Sequence, residues 1–158
     1  MSTTISMLRT YKFELTATGT ADGFDTTTVL ARFSEVSGID ATYDVIEYRD
    51  GASADYTPAK FPGLVKYGNI TLKRGIAASD GAFVNWVNAN IGGKMEKLAQ
   101  LIITVTDPAN DNNRISWTFK NVWPVKYTGP DLNATASEIA METLELAHEG
   151  VEFSATGA

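Results

Sequence analysis

Phe61-Pro62-Gly63-Leu64-Val65-Lys66-Tyr67-Gly68-Asn69-Ile70-Thr71-Leu72-Lys73-Arg74-Gly75 is the stretch whose reading decides the fold. Pro62 fixes its own φ and pushes Phe61 towards extended geometry, and Gly63 supplies conformational freedom, so Phe61 to Leu64 reads as a shaped turn that presents its apolar residues. After Gly68, Ile70 and Leu72 alternate with Thr71 and Lys73, the period of a strand with one buried face. Gly75 ends that strand.

Working outward, the chain has 158 residues, of which 44% are hydrophobic, the size expected for one domain with a real core. It contains no cysteine, so disulfides and thiolate chemistry are excluded and a reducing cytoplasm is a suitable place for synthesis. No apolar run approaches the roughly 20 residues of a membrane span, and the first residues lack the apolar core of a signal peptide. The net charge of −6 argues against a specific nucleic-acid grip, which needs clustered Lys and Arg. Its distribution is uneven. Tyr56 to Ser79 holds Lys60, Lys66, Lys73 and Arg74 and no acid, whereas Tyr127 to Ala158 holds Asp131, Glu138, Glu142, Glu145, Glu149 and Glu152 and no Lys or Arg.

Residues 1–10 are polar and predict a flexible arm. Tyr11, Phe13 and Leu15 alternate with polar neighbours and predict a first strand, followed by a turn region from Thr18 to Asp25. Thr27 to Val36 and Tyr43 to Arg49, separated by Ser37-Gly38, predict an early antiparallel pair. Residues 50–64 predict a long loop that runs into the Pro62-Gly63 corner, and loops of that length are commonly functional. Phe83, Trp86, Val87 and Ile91 fall at helical spacing, with Ser79 or Asp80 as N-cap and Gly92-Gly93 as stop, so one helix is predicted at about 80–90. Leu101 to Thr106 and Ile115 to Phe119 flank an Asx-rich connection and predict a β-hairpin. Its second strand continues towards Tyr127, with Pro124 marking a bulge or an edge. Over 138–149 two periodicities compete. Glu138, Glu142, Glu145 and Glu149 make a helical stripe, while Leu144 and Leu146 alternate with Thr143, Glu145 and Ala147 as a strand would.

Catalytic machinery is hard to assemble from these residues. His148 is the single histidine, which excludes a multi-histidine metal site and leaves a structural role as the simplest reading. Asp107, Asn110, Asp111, Asn112 and Asn113 offer oxygens without the glutamate that closes a calcium loop. No phosphate-binding loop of Walker type is present, and no catalytic residue, metal or cofactor is assigned. Trp86, Trp117 and Trp123 could form a carbohydrate platform, so the alternative reading is a monomeric ligand- or carbohydrate-binding β-module.

The opening stretch also resembles the central motif of the tail tube proteins of contractile phage tails and extracellular contractile injection systems. Phe33-Ser34-Glu35-Val36-Ser37-Gly38-Ile39-Asp40, Val45-Ile46-Glu47-Tyr48-Arg49, Trp117-Thr118-Phe119-Lys120-Asn121-Val122-Trp123-Pro124, Thr128-Gly129-Pro130-Asp131-Leu132 and Glu142 to Gly150 follow in the order that family shows. The resemblance covers about Phe33 to Gly150 and favours a strand over a helix at Thr143 to Glu149. It implies a mainly β fold, an antiparallel β-sandwich or barrel with one α-helix, in a single domain. It also implies a structural subunit with no enzymatic activity, made in a bacterial cytoplasm. Identical copies would form hexameric rings stacked head to tail around a channel for cargo, inside a sheath protein and joined to baseplate and tip components.

On that reading residues 50–64 are an inter-subunit loop, with Phe61, Pro62, Gly63, Leu64, Lys66 and Tyr67 at the subunit interface. Glu145 and Glu149 line the lumen or meet Lys66, Lys73 or Arg74 of a neighbour across a ring interface. Charge reversal at the two glutamates separates these placements. Lumen placement predicts tubes that still assemble and acquire salt-sensitive DNA binding, because a negative wall repels a polyanion and a positive one attracts it. Interface placement predicts failed or salt-dependent stacking, read by electron microscopy, and no gain in DNA affinity.

Overall fold

The computed structural model describes residues 13–18, 28–30, 33–76, 81–95, 97–107, 110–135 and 139–156. Among them run β1 (Phe13–Thr18), β2 (Thr28–Leu30), β3 (Glu35–Ser37), β4 (Ala41–Tyr48), β5 (Ala59–Tyr67) and β6 (Ile70–Gly75). Helix α1 (Gly81–Ile91) follows, then β7 (Leu98–Asp107), β8 (Asn110–Thr128), β9 (Met141–Ala147) and β10 (Gly150–Thr156). The expected arm at 1–10, the turn from Thr18 to Asp25 beyond its first residue, and the N-cap candidates Ser79 and Asp80 lie outside the described residues.

Every strand pairing is antiparallel, in the order β2-β1-β7-β8-β9-β6-β3, with β10 also on β8 and with β4 and β5 forming a separate two-stranded sheet. The expectation of a mainly β fold with one helix holds, and the acidic run is a strand. Leu144 and Leu146 are buried opposite Leu72 and Ile70, so the alternation between core and outer face wins over the helical spacing of the glutamates. The sheet is long because β8 is long. Its first part pairs with β7 on one side and β10 on the other, and its last part, Trp123 to Thr128, pairs with β9. Since only His148 and Glu149 separate β9 from β10, these strands form one arm running antiparallel to β8. Asn121, at φ 50°, and a register shift between Pro124 and Lys126 bend the ladder where the arm changes sheet. The bulge expected at Pro124 is therefore present.

Leu15 and Ala17 of β1, Leu101 and Ile103 of β7, Phe119 and Val122 of β8, Ile70 and Leu72 of β6 and the β9 leucines build one core. Helix α1 closes it with Trp86 and Val87. The helix stops as its glycines predicted: Lys94 N–H donates to Ala89 O at 3.0 Å and Gly93 N–H to Asn90 O at 3.1 Å, the paired bonds of a Schellman end. Ile91, expected on the apolar face, is exposed, and the side chain of Phe83 lies outside the described residues.

Two expectations are corrected. Thr27–Val36 and Tyr43–Arg49 are not paired with each other: β2 pairs with β1, β3 with β6, and β4 with β5. Gly38, at φ 86°, kinks the chain without reversing it, so 35–48 is one arm and 59–75 is its partner. The register runs through the kink unchanged, from Glu35↔Lys73 to Ala41↔Tyr67. Residues 59–64, expected to end a loop, are strand instead. Gly63 and Leu64 together oppose Asp44 in a β-bulge, and a Cβ on Gly63 would stand 2.8 Å from Asp44 O. Pro62 is tolerated because β5 is an edge strand beside that bulge.

A pair of opposite charges lies inside the β6–β9 ladder. Arg74 and Glu142 are cross-strand partners on β6 and β9, both almost fully buried, with Arg74 Nε donating to Glu142 Oε1. Tyr127 Oη donates to Glu142 Oε2 at 2.7 Å, and the guanidinium lies 5.6 Å from the centre of the Phe33 ring. That hydrogen bond, and secondarily burial, raise the Tyr127 pKa. Removing one buried partner strands the other charge, at a cost of about 3–5 kcal/mol. Arg74→Ala and Glu142→Ala are each expected to lower stability by that order in urea denaturation, and the double variant Arg74→Met/Glu142→Leu by less than either single change. A double variant as unstable as the sum of the singles would show that packing, and not charge pairing, holds the site.

Candidate assembly surface

The β4–β5 ribbon is the outward half of a long hairpin whose inner half, β3–β6, belongs to the main sheet. Its root is locked. Asp40 Oδ1 accepts the Gly68 N–H at 2.7 Å, and His148 Nε2 stands 3.0 Å from Gly68 O. A Cβ on Gly38 would fall 2.2 Å from Asn69 O, so the strands come together there at backbone distance. Tyr67 leans on the His148 ring at 5.4 Å between centroids. At the far end Asp50 caps the turn through its carboxylate, which accepts the Ala52 N–H at 2.6 Å, and Arg49 donates to Asp55 O.

Beyond the root the ribbon packs on itself and, fringe contacts aside, on no other described element. Directly paired residues share a face, so Tyr43, Val45, Pro62 and Val65 lie on one side and Ile46, Tyr48 and Phe61 on the other. The ion pair of Lys66 with Asp44, at 2.9 Å, lies on that second side. Phe61 is 51% exposed and Leu64 78%. Of the candidate interface residues Phe61, Pro62, Gly63, Leu64, Lys66 and Tyr67, the structure thus places all six on β5, with Tyr67 turned back towards the body.

Glu145 and Glu149 have partners within the chain. Asn69 Nδ2 donates to Glu145 Oε1 at 2.8 Å. Glu149 sits where β9 passes into β10: its N–H donates to Lys120 O, its Oε2 accepts from Asn121 Nδ2 at 2.6 Å, and its Oε1 accepts from Lys97 Nζ at 3.2 Å. The bases proposed for a neighbour are also engaged at home, Lys73 with Glu35 at 3.5 Å and Arg74 with Glu142. The corner role of Glu149 was missed in the sequence because it depends on Asn121 and Lys97, which are distant along the chain.

His148 is a structural residue, with Nδ1 3.3 Å from Gly150 O and its ring edge-on to Phe119 at 4.8 Å. Trp86 and Trp117 do not share a platform. Trp86 is in the core, and Trp117 packs against Phe153 at 5.9 Å and lines a cleft of about 310 Å³ between β3 and the β1–β7–β8 face. The only carboxylate lining that cleft is Glu35, which is tied to Lys73. Among the described residues no group of three His, Asp or Glu could hold a metal, and no helix is long and apolar enough to cross a membrane.

Such a molecule has its chemistry in its surfaces: a β body carrying a projecting, apolar, two-faced ribbon is a subunit built for assembly. The chain belongs to the T4-like virus tail tube protein gp19 family, whose model matches residues 9–152. It is similar to a chain of the PVC sheath-tube complex of an extracellular contractile injection system in its extended state. That match has 28% identity and a TM-score of 0.76, and covers 95% of this chain and 93% of that one. A chain of the anti-feeding prophage tube-terminating cap matches with 29% identity and a TM-score of 0.79, covering 99% and 96%. An Hcp protein at 12% identity and a TM-score of 0.52, covering 91% and 92%, shares the fold. No curated protein sequence matches the chain. The protein is accordingly a structural tube subunit of a phage tail or an extracellular contractile particle.

Hydrogen bonding from Asn121, and then from Lys97, holds the Glu149 carboxyl below its ordinary pKa of 4.5. A carboxyl lowered on folding stabilises the fold fully above its unfolded value and loses that contribution as pH falls through the folded one. Glu149→Gln is therefore expected to lower the urea midpoint at neutral pH, with a deficit that shrinks as the pH drops below about 4.5. A deficit independent of pH would show that the corner does not depend on the charge.

Proposed function

We propose that copies of this chain form rings of six which stack head to tail into the inner tube of a contractile particle, with a lumen through which cargo passes. The sheath surrounds this tube, and baseplate and tip components close its far end. Relatives seen in a sheath-tube complex and in a tube-terminating cap support that setting. The protein works by assembly, without a catalytic site or cofactor.

The observation that carries the reading is the β4–β5 ribbon. A lone two-stranded ribbon is marginal in water, and large apolar side chains left exposed on it imply a partner surface. Head-to-tail contacts join two different surfaces of one subunit, so the repeat stays open and grows into a filament. Phe61, Pro62, Gly63, Leu64, Lys66 and Tyr67 are the proposed contact residues. Glu145, on the outer face of β9, is the proposed lumen or ring-interface acid. Glu149 shares that proposal, but reversing it also disturbs the β9–β10 corner, which makes Glu145 the cleaner probe.

Electron microscopy and sedimentation of the purified protein test the proposal. Rings or tubes are expected, and a monomer at every concentration would overturn it. Phe61→Ala removes a side chain whose full burial contributes about 1.5–3 kcal/mol, so it should raise the concentration needed for assembly roughly tenfold or more. Its urea midpoint as a free subunit should barely move. Unchanged assembly with a large loss of subunit stability would place Phe61 in the fold and not in the contact.

A further inference from the structure

We infer that the β4–β5 ribbon is clamped between two different copies of the chain, one on each face, and that one of these copies presents the apolar patch of Ile76, Ile139 and Met141. The inference rests on the tube-subunit reading and adds to it which surfaces meet. A ribbon covered on one side only would keep the other side polar. Here each side, beside one pair of charged residues, exposes large apolar side chains: Tyr43 and Val45 are 62% and 60% exposed on one face, and Ile46, Tyr48 and Phe61 are 54%, 61% and 51% exposed on the other. The body of the subunit covers neither set, and one flat neighbour can cover only one.

A stacked ring supplies two kinds of neighbour, beside and above, and the ribbon has two apolar faces to match. The receiving patch is placed to suit. The ribbon leaves the body at Gly68, at the start of β6, whereas Ile76 follows the last residue of β6 at the opposite end of the strand. There Ile76 N–H donates to Ala140 O, Gly75 pairs with Met141, and Ile139 packs over Gly75. Ile76, Ile139 and Met141 are 48%, 79% and 41% exposed. Ribbon and patch therefore occupy opposite ends of the β6–β9 pair, as two surfaces must when copies join end to end.

The absence of cysteine makes the test direct. Val45→Cys and Ile46→Cys each place a thiol on one face of the ribbon. In tubes of this protein alone, maleimide labelling of both thiols should be slower by at least about tenfold than in the free subunit, as expected where contacts exclude water. In the double variants Val45→Cys/Met141→Cys and Ile46→Cys/Met141→Cys, a short bismaleimide should give a ladder of covalent oligomers from one pair and not from the other. If one thiol stays freely reactive in tubes, or becomes protected only when sheath protein is added, the two-copy clamp is wrong. If neither double variant gives a ladder, the patch is not the receiving surface. If wild-type protein builds no rings or tubes, the tube reading itself fails, and the inference fails with it.

Discussion

Everything in this structure hangs on the main-chain ladder between β8 and the β9–β10 arm, which runs in one register from β10 across the corner to Pro124 and shifts only between Pro124 and Lys126. Residues Trp123 to Thr128 of β8 share a sheet with β6, whereas its earlier residues lie between β7 and β10. A ladder that bends must leave backbone groups unpaired at the corner, and buried unpaired groups cost about 1–3 kcal/mol each. Here a main-chain bond from Glu149 N–H to Lys120 O meets part of that need, and side chains brace it. Glu149 closes the corner from one arm through its main chain and carboxylate, and Asn121 adopts the positive φ that Asn tolerates better than most residues. His148 then reaches from the same corner to Gly68, so the bend also fixes the root of the projecting ribbon.

The same device appears twice. In the hairpin of 35–48 with 59–75 the register again runs through a break, but here the outer half leaves the body altogether. Asp40 and Gly38 act at that break as Glu149 and Asn121 act at the corner. The consequences differ because the corner returns its strands to the core, whereas the hairpin delivers Tyr43, Val45, Ile46 and Phe61 to solvent. The hairpin is thus the ladder that reaches outward, and the proposed contact residues lie on its outer half.

Much of this is legible in the sequence, and what is not has a physical reason in each element. Alternation found β6, β7, β8 and β9, because each has one face in the core and a strand with one buried face prints its period in the residues. The helix was read from Trp86, Val87 and its glycine stop. The β4–β5 ribbon has no buried face, so its residues print little period, and the turn expected over Phe61 to Leu64 is a strand whose bulge falls at Gly63 and Leu64. Arg74 and Glu142 were counted as charges on opposed segments. That they are buried cross-strand partners follows only from the β6–β9 register, which places them in line with Leu72 and Leu144. Glu142 could have been singled out by its parity with the two leucines, since a carboxylate on the core face of a strand requires a buried partner.

The ribbon also bears on how assembly is controlled. Its order in the free subunit rests on the root lock and on few contacts beyond the β4–β5 ladder itself, and a two-stranded sheet is near the limit of independent stability. Anything that binds the ordered ribbon stabilises it by mass action, so its order rises with the concentration of other copies or with a ring already in place. With the contacts proposed above, a first ring would have to order its ribbons and meet its partners together, while each later copy would find a surface already formed. Growth from an existing end is then favoured over fresh nucleation. Under the proposed contacts, the physics that leaves Phe61 exposed in one subunit would therefore also favour one long tube over many short ones.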